Sequence, residues 1–293
     1  MKTRLLITSF LFLLTSYSCS PIPQFFNILP SSKLKSVAFS ETEANPIFQF
    51  YYSDTLNNAY LRELRQAYRL DSLTDQTDSE FEKIKILLNW TNKQWTHSNN
   101  TPSKPDPLTI LDEAKKGNNF RCVEYGIVSA AALNSIGIPS RLLGLASADV
   151  EKVRTGAGHV VAETYSKEFK KWIFIDAQWN TIPVINNVPL NAIEFQKAIY
   201  ENNVNLKIIN SKGDASKEEQ ESYIDWIGKY LFYYTIGFDN RYRDDYQNVM
   251  VSGKPRLMLV PLNTENPTIF QRKSKIDYCI YSNNSRDFYQ CPN

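Results

Sequence analysis

The stretch Phe120-Arg121-Cys122-Val123-Glu124-Tyr125 stands where a short turn ends and a long apolar run begins. From Cys122 onward the apolar residues follow helical spacing, until Gly137 and Pro139 stop the run. The pattern predicts a buried helix that begins at Cys122. Backbone N–H dipoles at a helix N-terminus stabilise a thiolate, which is the form of cysteine that attacks a carbonyl carbon. The same N–H groups can stabilise the oxyanion of acyl transfer.

Helical patterns precede this helix and strand patterns follow it. Apolar spacing predicts helices over 54–70, over a segment capped by Asp78 or Ser79, and over 108–116. Strands are predicted over 141–145, 159–165 and 172–176, and farther on over 256–260 and 276–281. A capping box of Ser216 and Glu219 starts one more helix. Helices followed by a sheet indicate an α+β fold.

A base for the thiol must be one of two histidines, His97 and His159. His159 opens a predicted strand and follows the flexible Gly156-Ala157-Gly158, which would let a partner approach closely. His97 stands in a polar loop with no nucleophile or carboxylate near it in sequence, and we interpret it as solvated surface. His159 is therefore the candidate base.

Asp176 is the candidate third member. If the connection 166–170 turns between Lys167 and Glu168, His159 and Asp176 face each other across a hairpin and project from one face. The carboxylate could then fix the imidazole tautomer and stabilise its cation. Each residue alone has a plainer interpretation, Cys122 as a core thiol and Asp176 as a strand-end cap. A zinc site from the three residues lacks the paired-ligand spacing of zinc motifs and is disfavoured.

Four blocks of sequence resemble, in order, the transglutaminase-like superfamily, which includes cysteine proteases and peptide N-glycanases. The blocks are 120–125, 137–141 with Gly144, 158–163 and 172–176. The resemblance covers about residues 81 to 180. It implies a papain-like core in which the nucleophile helix packs on an antiparallel sheet. Cys122 would be the nucleophile, His159 the base and Asp176 its orienter.

Related enzymes place an upstream Trp or Gln near the oxyanion, and the resemblance therefore implies Gln94 or Trp95 as candidates here. The chain also departs from the family pattern. Val123 stands where a small residue is frequent, Val161 where the family often has Trp, and Ala177 where Pro is common. These departures leave the catalytic groups in place but change the expected shape of the substrate pocket.

The N-terminus has the layout of a bacterial export signal, with Lys2 and Arg4 before an apolar stretch over 5–14. Cys19 then stands where a bacterial lipoprotein is lipidated, and ordinary secretion with loss of Cys19 is the alternative. We expect a signal over 1–19, a tether over 20–46, a core over 47–200, and a region 201–293 that completes the core or is appended to it. The mature protein would lie in the cell envelope, lipid-anchored, or would be periplasmic or secreted.

Cysteine usage and charge set further limits. In an oxidising compartment, Cys279 and Cys291 are plausible disulfide partners, which leaves Cys122 as a free thiol. With 33 basic and 31 acidic residues and no long single-sign block, the chain has no electrostatic signature of nucleic-acid binding. The predicted chemistry needs no metal and no organic cofactor.

The sequence thus predicts a thiol-dependent amidase, a protease or deamidase, that acts on a peptide, protein or glycopeptide through an acyl-enzyme. Transfer to an amine would make it a transglutaminase. The alternative from another class is a surface protein with the same fold that binds peptide or glycan without catalysis. Aromatic residues such as Trp226, Tyr230, Tyr233 and Tyr234 could serve it, although at their spacing they are more typical of a core.

Overall fold

The computed structural model describes residues 37–54, 57–242 and 249–292. The predicted signal, Cys19 and the first part of the predicted tether lie outside the described residues. Of the helices that the structure describes, none is both long and apolar enough to span a membrane.

The described part of the chain contains eight helices and fourteen strands. The helices are α1 Ala59–Ala67, α2 Leu70–Thr74, α3 Glu80–Asn92, α4 Pro107–Lys115, α5 Cys122–Ser135, α6 Ala192–Tyr200, α7 Lys217–Gly228 and α8 Ser285–Phe288. The strands are β1 Tyr51–Tyr52, β2 Ser140–Ala146, β3 Gly158–Ser166, β4 Lys171–Ile175, β5 Ile182–Ile185, β6 Val188–Pro189, β7 Leu206–Asn210, β8 Gly213–Asp214, β9 Tyr233–Gly237, β10 Asp239–Asn240, β11 Arg256–Leu259, β12 Ile269–Phe270, β13 Ser274–Lys275 and β14 Cys279–Ser282.

Local capping chemistry explains where the main helices begin. Ser79 caps α3, accepting a hydrogen bond from the backbone N–H of Glu82 at 3.3 Å. Asp106 caps α4, whose first residue is a proline. The capping box of Ser216 and Glu219 begins α7 as predicted. The predicted α+β fold is confirmed.

A six-stranded sheet in the order β14-β11-β9-β2-β3-β4 forms the centre of the molecule. Its neighbouring strands run antiparallel, except that β11 and β14 run parallel. The strands β2 and β3, on which α5 packs, are antiparallel as predicted. Because β9, β11 and β14 belong to the same sheet as β2, β3 and β4, the region after residue 200 completes the core.

Helices cover both faces of this sheet. Along β3, Ala162 joins a core with residues of α1, α3, α4 and α5, whereas its neighbour Val161 joins a second core with residues of α6 and α7. The alternation follows from the two-residue period of a strand. A Cβ atom on Gly126 of α5 would lie 3.1 Å from the carbonyl oxygen of Val161, so this glycine lets α5 approach the sheet closely.

The β3–β4 hairpin has a different register from the predicted one. Ala162 pairs with Ile175 and Ser166 with Lys171, so the turn is centred between Glu168 and Phe169, one residue later than expected. The extension of this register places Asp176 opposite Val161, and His159 is its diagonal neighbour rather than its direct partner. The parity is unchanged, so the two side chains still share one face.

The end of the predicted tether, from residue 37 on, belongs to the folded part. The backbone N–H of Ser40 donates to the carbonyl of Asn283 at 2.8 Å, and that of Asn45 donates to Asp287 at 2.7 Å. These partners lie near the other end of the chain. Local composition, which is rich in proline and serine, could not reveal them, and the predicted domain start at residue 47 is too late.

Candidate active site

Cys122 is the first residue of α5 and is partly exposed. The helix start is fixed by Glu124, whose carboxylate accepts from the backbone N–H of Arg121 at 3.0 Å and from its guanidinium at 2.8 Å. The Glu124 side chain is 1% exposed. The thiol therefore lies at a rigid helix N-terminus, where the dipole favours negative charge.

His159 and Asp176 form a buried pair. The imidazole Nε2 lies 2.8 Å from Oδ2 of Asp176, and both residues are at most 3% exposed. Asp176 directly follows β4 and bridges to Thr181, so the backbone holds it firmly. With Nε2 engaged by the carboxylate, Nδ1 is the ring nitrogen left for the Cys122 sulfur, which lies near enough to His159 to raise its pKa.

The surroundings of His159 favour its protonated form. Burial lowers the pKa, but the charge of Asp176, its hydrogen bond and the nearby Cys122 sulfur together outweigh burial and raise the pKa of His159 to about 9. At neutral pH the ring is therefore an imidazolium. A protonated imidazole beside a cysteine is the environment that stabilises a thiolate.

Asp176 is held by donors on both oxygens. Oδ1 accepts from the backbone N–H groups of Gln178 at 3.0 Å and Trp179 at 3.4 Å. Oδ2 accepts from His159 and, at 3.0 Å, from the hydroxyl of Tyr223. The carboxylate is thereby fixed in position and its negative charge is compensated.

Helix α7 supplies aromatic neighbours to the imidazole that were not predicted for the site. Trp226 meets His159 edge to face at 4.8 Å between ring centroids, and Tyr230 lies at 5.9 Å. Trp179, 40% exposed, lies 5.0 Å from Trp226. The helical spacing of Tyr223, Trp226 and Tyr230 indicates one face of a helix, but nothing in the sequence shows that this face covers His159.

The structure separates the two oxyanion candidates. The amide nitrogen of Gln94 donates to the carbonyl of Trp90 at 2.8 Å, at the end of its own helix. Trp95 is 8% exposed and packs against Tyr125, one turn beyond Cys122, at 4.5 Å between centroids. Its buried Nε1 has no hydrogen-bond partner among the described residues. Trp95 therefore retains a free donor near the helix that carries the thiol.

A cavity of about 830 Å³ opens beside these residues. Its lining comes from 92–97, Ala114, 117–119, Tyr125 and 178–179. His97 lines this cavity and is exposed, as its interpretation as surface requires. Its pKa is lowered by partial burial and then by the charge of His159, so His97 is closer to the candidate site than the sequence indicated.

The predicted disulfide does not form. Cys279 and Cys291 are free thiols, like Cys122. Cys279 is buried in the edge strand β14, whereas the exposed Cys291 contacts the hydroxyl of Tyr165 in β3, and three strands separate β14 from β3. Cys279 and Cys291 are only twelve positions apart in the sequence, and the prediction wrongly took this as a sign that they lie close in space. In the described ranges, no group of three histidine, cysteine or acidic side chains is arranged to hold a metal ion.

One family pattern matches the part of the chain that holds these residues. The pattern of the transglutaminase-like superfamily matches residues 68–177, a segment that contains Cys122, His159 and Asp176. No curated protein matches the chain.

Solved structures with some likeness include a putative cysteine protease from Cytophaga hutchinsonii, with 16% identity over 58% of this chain and 55% of that one and a TM-score of 0.34. The match thus spans about half of that protein. LapG of Legionella pneumophila has 13% identity over 61% of this chain and 96% of its own, with a TM-score of 0.32. Red sea bream transglutaminase has 10% identity over 53% and 41%, with a TM-score of 0.26. On the match of the superfamily pattern, the chain carries a transglutaminase-like core over residues 68–177.

Proposed function

We propose that the protein is a thiol-dependent amide hydrolase whose nucleophile is Cys122. The observation that supports this most strongly is the buried contact of 2.8 Å between His159 and Asp176, with the Cys122 sulfur near enough to raise the pKa of the same imidazole. A thiol at a helix N-terminus, a base and an orienting carboxylate are the parts that acyl transfer requires.

The reaction follows from the positions of these groups. The Cys122 sulfur attacks the amide carbonyl carbon, and the carbonyl π electrons move onto oxygen. The backbone N–H groups at the start of α5 are the donors for this oxyanion, and the buried, unpartnered Nε1 of Trp95 is a second candidate. When the oxyanion collapses, the C–N bond breaks and the leaving amine takes a proton from His159.

Water completes the cycle. The thioester left on Cys122 is attacked by water, which loses a proton to the now neutral His159. Collapse of the second oxyanion breaks the C–S bond, releases a carboxylic acid and restores the ion pair. Attack by an amine in place of water would give transfer, and a side-chain carboxamide as substrate would give deamidation. We favour hydrolysis, because no separate amine site is identified.

The substrate class is open to a direct test. The mature protein and its Cys122→Ala variant are incubated with a mixed library of peptides and glycopeptides, and product masses are read. We expect new cleavage products or shifts of about one dalton, both absent with the variant. Incorporation of an added amine would instead indicate transfer. If unmodified substrates bind equally to both proteins and no mass changes, the alternative of a non-catalytic peptide or glycan receptor replaces the hydrolase.

We also propose that the protein is exported and anchored by a lipid on Cys19. Its support is the order of basic, apolar and small residues before Cys19. In a bacterial host, the full chain should partition into the detergent phase and Cys19→Ala should not. Equal aqueous partitioning of the two would favour ordinary secretion.

A further inference from the structure

We propose that Tyr223 is a positioning residue of the candidate active site, acting through Asp176. The inference rests on the proposed function. It concerns helix α7, which lies outside the segment 68–177 that matches the superfamily.

The first step is the geometry of the shared oxygen. The Tyr223 hydroxyl donates to Oδ2 of Asp176 at 3.0 Å, and Nε2 of His159 meets the same oxygen at 2.8 Å. Backbone N–H groups hold the other oxygen, Oδ1. Rotation of the carboxylate about its Cβ–Cγ bond is thus opposed from both sides, and Tyr223 is the side chain that fixes the oxygen facing the base.

The second step is the state of the hydroxyl. Tyr223 is 1% exposed, and burial, followed by the charge of Asp176, raises its pKa well above the usual 10. The hydroxyl is therefore protonated throughout the working pH range. With Asp176 ionised, it can only donate to that carboxylate, so the contact has one polarity and one geometry.

The third step is how firmly α7 is held against the imidazole. One turn beyond Tyr223, Trp226 packs on His159 edge to face at 4.8 Å. On the other side, Tyr223 stacks against Phe195 of α6, with ring planes 13° apart. A donor on a helix that packs against both the imidazole and α6 is held in place, as the orienter of a general base needs to be.

The role predicts a specific effect of deleting the hydroxyl. Tyr223→Phe keeps the ring and removes the donor. Asp176 loses one of the donors that fix its orientation, so the imidazolium that it holds lies less firmly beside the Cys122 sulfur and stabilises the thiolate less. The carboxylate is less well fixed, and alkylation of Cys122 by iodoacetamide at neutral pH should slow about tenfold.

A matched control separates positioning from general stability. Tyr289→Phe also removes a hydroxyl that donates to a buried carboxylate, that of Glu163, at 2.8 Å. It should lower thermal stability comparably and leave both the labelling rate of Cys122 and the pKa of His159 unchanged. Equal labelling rates in wild type and Tyr223→Phe, or an equal loss in Tyr289→Phe, would overturn the proposal.

A measurement on the unsubstituted protein covers the case in which Tyr223→Phe does not fold. The Tyr223 hydroxyl proton and the Nε2 proton of His159 point to one oxygen, so proton NMR should show a slowly exchanging hydroxyl proton with a cross-relaxation peak to that imidazole proton. Its absence would contradict the proposed contact. The NMR result does not depend on the reactivity of Cys122. Slow labelling of wild-type Cys122 would therefore refute the proposed hydrolase, whereas the contact between Tyr223 and Asp176 would still be tested by NMR alone.

Discussion

Replacement of Asp176 by asparagine should reverse the protonation state of His159 at neutral pH. In the wild type, burial lowers the pKa of His159 and the charge of Asp176 more than compensates, so the pKa is raised to about 9. Asp176→Asn keeps the size of the side chain and removes the charge. Burial then dominates and the pKa should fall below 6.5, a change of about 2.5 pH units or more, equivalent to about 3 kcal/mol.

NMR titration of the imidazole resonances tests this directly, because the chain has two histidines and His97→Gln identifies the other signal. Catalysis at pH 7 should fall about 100-fold or more, since a neutral ring cannot protonate the leaving amine. Titration of wild-type His159 near 6.5, or of the variant still near 9, would refute the reasoning.

The same shift predicts how stability depends on pH. A folded-state pKa of about 9, raised above the unfolded value of 6.5, contributes stability that is fully present below pH 6.5 and is lost as pH rises through 9. Urea unfolding of the wild type should show a decline of at most about 3 kcal/mol over this window. The decline should disappear in Asp176→Asn. If the free energy of unfolding falls equally with pH in both proteins, titrating groups other than His159 cause the decline.

Three further outcomes follow from the packing. Arg141→Ala should destabilise the fold by about 3–5 kcal/mol in urea unfolding. In the wild type the guanidinium lies 2.8 Å from the buried carboxylate of Glu163, and the variant leaves this carboxylate without its charge partner. A loss of stability below about 1 kcal/mol would contradict this. Gly126→Ala should cost about 1–3 kcal/mol, since its Cβ would lie 3.0 Å from Leu142, and an unchanged melting temperature would show that the helix can shift freely. Because Cys279 and Cys291 are unpaired, a reductant should leave the melting temperature unchanged. A lower melting temperature in the presence of the reductant would indicate that the two cysteines do form a disulfide.

Local signals sufficed for the elements that carry the candidate triad. The helix beginning at Cys122 and the strand pattern around His159 depend on apolar periodicity and on glycine and proline stops, all of which act over a few residues. The predicted turn centre was one residue too early, which shifts the strand pairing by two residues, because contacts outside the hairpin sequence set the turn. The hydroxyl of Ser166, for example, donates a hydrogen bond to the carboxylate of Glu80 in α3 at 2.7 Å.

Features that depend on distant parts of the chain were beyond prediction. Tyr223 reaches Asp176 across 47 residues, and Asn45 reaches Asp287 across 242. Periodicity marks which face of α7 is apolar but not what that face covers. The disulfide prediction failed for the converse reason, since Cys279 and Cys291 are near in sequence but lie at different parts of the sheet.

Selective alkylation measures most directly whether Cys122 is an activated nucleophile. At pH 6 an ordinary thiol is well under 1% thiolate and reacts slowly with iodoacetamide. The mature protein carries its own comparison, because Cys291 is exposed and burial raises the pKa of Cys279 to about 12. Peptide mass spectrometry should find Cys122 labelled at least about tenfold faster than Cys291, with the difference lost in His159→Ala. Equal labelling of Cys122 and Cys291, or rapid labelling that persists without His159, would contradict the account.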